Sequence, residues 1–131
     1  MKTLIFTAIV LIGMTTATFA NKPEKVTLRH GQQKSAARGD LKIQFVSVVE
    51  DSRCPIGTNC VWAGNAQIQV KITDRNGRSK ISVINSTTGP LGDQFGGYAI
   101  NLTSLTPHPT ADSQPSKTRY TATFSITRLT R

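Results

Sequence analysis

Residues able to do chemistry gather in one stretch of this chain, Glu50-Asp51-Ser52-Arg53-Cys54-Pro55-Ile56-Gly57-Thr58-Asn59-Cys60-Val61-Trp62-Ala63-Gly64-Asn65. It holds both cysteines, the only tryptophan and an acid–base pair. Outside the cytosol two cysteines this close oxidise. They close a ring of about seven residues, which the chain-entropy estimate makes worth about 2–2.5 kcal/mol. A bond so local fixes one loop and cannot tie distant strands together. Pro55 adds a locked φ, and Gly57 permits a tight turn inside the ring. The spacing is not that of a Cys-x-x-Cys redox pair at a helix start. Asp51 and Arg53 read as a loop-ordering pair, the carboxylate accepting turn N–H groups and the guanidinium reaching a carbonyl or the acid itself. As catalytic groups they lack a nucleophile and a base placed to serve them. Trp62 has two readings: its indole covers the disulfide and plugs one end of the core, or it stands out and anchors a partner. A rigid loop suits the second, because pre-organisation lowers the ordering cost of binding. The candidate binding loop therefore carries Asp51, Arg53, Ile56 and Trp62, with Cys54–Cys60 as its clasp.

Other signals are weaker. His30 and His108 stand alone, with no second ligand at metal spacing. Asp74-Arg75-Asn76-Gly77 echoes the start of a calcium loop, but the later ligands are missing. Nucleophile-elbow, zinc-protease and phosphate-loop motifs are absent, so no catalytic residue, metal or cofactor is assigned. An enzyme would need a polar pocket around a group such as Asp51 or His108. Asn85-Ser-Thr and Asn101-Leu-Thr match glycosylation sequons, relevant only to a eukaryotic secretory route. The basic excess is dispersed. Its densest part is Lys71, Arg75, Arg78 and Lys80 against Asp74. Such a patch is either a solvated hairpin tip or an attraction for anionic lipid or polysaccharide. Aromatic residues are not interleaved with it, so specific nucleic-acid binding is not expected.

The elements that must position the loop are short strands. The chain has 131 residues with a formal net charge of +9, enough for one domain. Its composition excludes a multidomain enzyme, a polytopic membrane protein and a coiled coil. Lys2, the apolar run Leu4 to Met14 and the small residues before Ala20 have the layout of a secretory signal peptide. The run is too short to span a bilayer, which takes roughly 20 apolar residues. Cleavage after Ala20, with Ala17 as the other site, removes 20 of 131 residues and Lys2 with them. That leaves 111 residues at +8, and no transmembrane segment is expected in them.

Beyond residue 21 period-2 alternation dominates, and no helical stripe is present. Strands are predicted at Val26 to His30, from Leu41 through Val49, at Ala66 to Thr73, Ser79 to Ile84, Tyr98 to Leu102, and Tyr120 to Thr127. Gly31 to Gly39, Asn85 to Gly97 and Pro107 to Lys117 read as loops. Apolar residues on both parities at Phe45, Val46, Val48 and Val49 imply a bulge or a strand buried on both faces. Asn76-Gly77 predicts a type I′ hairpin with Ile81 and Val83 facing inward. Gly39 to Phe45 echoes Gly96 to Leu102 at an offset of 57, consistent with two similar halves. The expected fold is all-β: an antiparallel β-sandwich or small barrel of about seven strands, a single domain over 21–131 after a signal peptide over 1–20.

The run D-S-R-C-P, four residues, then C-V-W-A-G from Asp51 to Gly64 resembles a family of uncharacterised bacterial exported or lipid-anchored proteins. So do Gly97-Tyr98, Leu105-Thr106-Pro107-His108-Pro109 and Tyr120-Thr121-Ala122-Thr123. The resemblance covers roughly residues 39 to 127 and implies a secreted or periplasmic envelope β-domain with no assigned role. Unlike lipid-anchored members, this chain has no cysteine at the signal junction. The expected function is non-enzymatic binding of an envelope or extracellular protein through loop 51–64. The alternative is an envelope-associated structural module that meets polyanions through its charge.

Overall fold

The computed structural model describes residues 22–130, and the expected signal peptide lies outside them. Alternation produces the strands β1 (Glu24–Arg29), β3 (Leu41–Asp51), β4 (Ala66–Asp74), β5 (Ser79–Asn85), β7 (Tyr98–Thr106) and β8 (Thr121–Arg128). Two more, β2 (Gln33–Ala36) and β6 (Gly92–Phe95), lie where loops were expected and bring the described residues to eight strands. Each spans four residues and buries little, so side-chain pattern could not reveal them. The backbone ladders to β3 and β7 define them instead.

Among the described residues every strand-to-strand pairing is antiparallel, in two sheets of four with orders β1-β8-β7-β6 and β2-β3-β4-β5. The sheets bury one face each against the other, as a β-sandwich does. Leu28, Leu41, Ile43, Phe45, Ile68, Val70, Ile72, Ile84, Ile100, Tyr120 and Phe124 fill the core between them. The mixed parity after Phe45 is a bulge: β3 slips against β4 between Phe45 and Ser47, and again between Val48 and Glu50. Val46 is thereby half-buried and Val49 exposed.

The two sheets have matching topology. Each begins with a meander, β2-β3-β4 or β6-β7-β8, and each adds one further strand, β5 or β1. The central strands open at Leu41 and Tyr98, 57 positions apart. The same offset relates the bulge at Phe45/Ser47 to that at Leu102/Ser104. The sequence echo is thus matched by strand placement.

One expectation about orientation is corrected. Ile81 and Val83 face solvent, at 62% and 46% exposure, while Ser82 and Ile84 face inward. The cause is the turn. A type I′ turn would place only Asn76 and Gly77 in the loop and set Ile81 opposite Ile72. Here Arg75, Asn76 and Gly77 form the loop. Gly77 takes φ +83 and donates its N–H to the Asp74 carbonyl, and Asp74 donates to that of Arg78. This is a type I turn followed by a left-handed glycine. The Asp74 carboxylate fixes it by accepting the Asn76 and Arg78 N–H groups, both at 2.9 Å. One extra loop residue moves the register by one, so Ile81 pairs with Lys71 and every β5 side chain changes face.

Candidate functional site

Loop 51–65 joins β3 to β4 at the end of the sandwich where the 106–120 connection also lies. Its base extends the β3–β4 ladder. Ser52 N–H donates to the Asn65 carbonyl at 2.8 Å, and Cys54 N–H to that of Ala63 at 3.1 Å. Gly64 sits there at φ +71, and any Cβ on it would run into the Ser52 carbonyl, so both shape and conformation require glycine. The Cys54–Cys60 disulfide forms and closes the ring above this base. Inside the ring the Thr58 hydroxyl donates to the Pro55 carbonyl at 2.8 Å.

Asp51 and Arg53 anchor the loop from beneath. Arg53 Nε and Nη2 each donate to the Asp51 carboxylate at 2.8 Å, a bidentate pair. Their side chains are only 2% and 9% exposed for Asp51 and Arg53. The guanidinium then crosses to the second loop, donating through Nη1 to the Leu105 carbonyl at 2.6 Å and through Nη2 to that of Pro107 at 3.0 Å. Tyr120, at the foot of β8, donates its hydroxyl to Asp51 Oδ2 at 2.7 Å. His108 Nε2 lies 2.7 Å from the Cys54 carbonyl and Nδ1 lies 3.4 Å from Arg53 Nη1. Those partners assign the proton to Nε2. Ile56 exchanges backbone hydrogen bonds with Pro109 and Ala111. A third segment, 85–90, is tied in by Asn65, whose amide donates to Asn85 Oδ1 and whose oxygen accepts the Thr87 and Thr88 N–H groups. Asn85, the first sequon residue, is buried and engaged by this network.

Burial alone would raise the Asp51 carboxyl, but hydrogen bonds from Arg53 and Tyr120, with the charge of Arg53, hold it below its usual value. Burial and then the adjoining carboxylate push the Tyr120 phenol up to about 12. Both shifts describe a satisfied structural node. Every polar group in it is directed at another part of the chain.

Above the node the loop exposes large apolar side chains alongside the polar Thr58 and Asn59. Val61 is 94% exposed, Trp62 73% and Ile56 63%. Trp62 therefore neither plugs the core nor shelters under it. Of the four residues singled out from sequence, Ile56 and Trp62 are on the surface, while Asp51 and Arg53 are the support beneath it. Val61 joins Ile56 and Trp62 on the surface, and its signal in the sequence is the apolar run at the exit of a polar ring. Tyr120 is expected from sequence only as the start of the last strand; its hydroxyl, which needs a partner when buried, is the available hint. His108 reaches the site through tertiary structure alone.

The basic residues of the hairpin are not gathered on one face. Lys71 lies on the outer face of β4, whereas Lys80 points inward to Asp93 at 2.7 Å. Arg75 lies 3.7 Å from Asp40 and Arg78 lies 3.2 Å from Asp74. Three of the four cations are thus paired with an acid.

No family model, curated protein or solved structure matches this chain. Among the described residues no helix is long and apolar enough to cross a membrane.

Proposed function

We propose that this protein is a non-enzymatic, exported β-domain that binds another macromolecule through the disulfide-closed loop, with Ile56, Val61 and Trp62 as its anchors. The observation that carries this reading is the contrast within one loop. The loop is fixed by a disulfide, a buried bidentate ion pair and two flanking segments, yet it presents three large apolar side chains to solvent. Fixing a loop with this many bonds removes the ordering cost that a flexible loop would meet on binding. An exposed tryptophan is the kind of residue that carries affinity in protein interfaces, and apolar neighbours such as Ile56 and Val61 exclude water around it. The disulfide and the leader sequence both support a bacterial secreted or periplasmic location, and the D-S-R-C-P-x4-C-V-W-A-G run supports kinship with the exported family it resembles. The polyanion reading has less support, because most of the hairpin cations are paired with acids.

The test places a photo-reactive benzoylphenylalanine at Val61 in producing cells, with a control at Lys42 on the outer face of β3. A discrete adduct at 61, absent at 42 and lost in Trp62→Ala or Cys54→Ser/Cys60→Ser, supports the reading. Equal adducts at both positions, or an adduct indifferent to those variants, would overturn it.

A further inference from the structure

The exposed side chains of β5 coincide with a second feature of the strand, its backbone orientation. In an antiparallel pair, hydrogen-bonded and non-bonded residue pairs alternate. Asp74 N–H donates to the Arg78 carbonyl, so Asp74/Arg78 is a bonded pair. Counting from it along the register, Ile72/Lys80, Val70/Ser82 and Ile68/Ile84 are bonded, and Ile81 and Val83 fall on the alternate positions. Their N–H and C=O groups point away from β4. Asn85 has the same parity, and its N–H does turn away, to the Pro90 carbonyl. Among the described residues β5 is the last strand of its sheet, so the Ile81 and Val83 groups face no neighbouring strand there. The same two residues thus offer free backbone groups at the sheet edge and exposed apolar side chains beside it.

Edges are commonly guarded by a charged side chain, most often lysine. The lysine on this strand, Lys80, is held inward by Asp93, which also accepts the Ser82 hydroxyl. The other edges differ. β2 and β6 are only four residues long, and β1 sets Lys25, Thr27 and Arg29 outward.

From these features we propose that β5 is a strand-addition site for an extended peptide segment of another protein, apolar at alternate positions and acidic between them or at its flanks. The backbone of Ile81 and Val83 supplies the ladder, and their side chains supply the apolar face. The acidic preference follows from charge. Lys71 lies directly across from Ile81 on the outer face and makes no ion pair among the described residues, and Arg78 opens onto solvent at the start of the strand. A second copy of this chain is disfavoured by the same charges, since edge-to-edge pairing would bring together two sets of Lys71, Arg78 and Lys80 on proteins of net charge +9. This site is separate from the disulfide loop and does not depend on it.

The test is amide hydrogen exchange on the folded protein with a seven-residue peptide of alternating Val and Glu, compared with its Val/Lys counterpart. The Val/Glu peptide slows exchange at Ile81 and Val83 by about tenfold or more, while Val70 and Ile72, already inside the sheet, do not change. The Val/Lys peptide has no effect, and Lys71→Glu exchanges the preference. Ile81→Pro abolishes the effect, since proline removes the free N–H without touching the β4 ladder. If that variant loses protection at Ile72 and so is misfolded, Ile81→Thr/Val83→Thr takes its place and weakens the effect. No slowing with Val/Glu, equal slowing with both peptides, or slowing that grows with protein concentration in the absence of peptide would each overturn the proposal, the last by assigning the edge to a second copy.

Discussion

The Arg53 guanidinium serves two chain segments at once. Two of its nitrogens hold the Asp51 carboxylate, and the same head group binds the carbonyls of Leu105 and Pro107. Removing it leaves the Asp51 carboxylate buried with only the Tyr120 hydroxyl and the residue-53 backbone N–H as donors, and frees two carbonyls. Breaking a buried pair from one side costs about 3–5 kcal/mol, so Arg53→Ala should lower the urea midpoint by that equivalent. Tyr120→Phe deletes a single hydrogen bond and should cost about 1–3 kcal/mol in the same assay. The phenol also gives a pH signature. Its folded value of about 12 lies above the unfolded value of 10.0, so its contribution is complete below 10 and is lost as the pH rises toward 12. Asp51 has the opposite sign. Its folded value lies below 3.8, so its contribution is present above that pH and is lost as acid protonates it. Unfolding free energy measured against pH should therefore fall at both ends, and Tyr120→Phe should remove the Tyr120 share of the alkaline fall. An alkaline limb unchanged by that variant would contradict the assignment. Asp51 and Arg53 were legible in the sequence as a loop-ordering pair because they lie two residues apart; Tyr120 and His108, more than fifty residues away, could be placed only by the fold.

At the scale of elements, the disulfide is local and its effect should be local. Cys54→Ser/Cys60→Ser should cost about 2–2.5 kcal/mol while leaving the sandwich folded, because the β3–β4 ladder holds the base of the loop through Ser52 and Cys54 without the disulfide. Exchange at the Cys54 and Ile56 amides should rise while that at Val70 stays slow; collapse of Val70 protection would mean that the ring supports the whole fold. Strands β3, β4 and β8 are readable because inward and outward residues alternate along each against one core, in β3 as far as Phe45. β2 and β6 are not, because backbone pairing rather than side-chain burial defines them. β5 was found, but with its faces exchanged. Asn-Gly was a true hairpin signal whose loop length depended on Asp74, and one residue of loop length decides which side of a strand is inside.

At the scale of the molecule, the two four-strand units give the chain an internal symmetry. The gap between the end of β8 and the start of β1 occupies the position that the β4–β5 hairpin holds in the other unit. Glu24 pairs with Ile126, so the two ends of the described chain lie close together. A circular permutant opened between Asn76 and Gly77, with residues 130 and 22 joined by a short linker, should therefore fold with the same disulfide and one cooperative thermal transition. A molten or aggregated product would show that the halves are not interchangeable in this sense. The charge that first suggests a polyanion partner is spread over this framework and partly neutralised, whereas the exposed apolar surface at one end is concentrated on a single braced loop. Because the chain has one tryptophan, that loop carries its own reporter. Acrylamide quenching of Trp62 fluorescence, in the free protein and with the partner recovered by cross-linking, is the most direct measurement. We expect quenching close to that of free indole in the isolated protein, and a shielded, blue-shifted emission in the complex. A shielded indole in the isolated protein, or one equally open to acrylamide in the complex, would contradict the account.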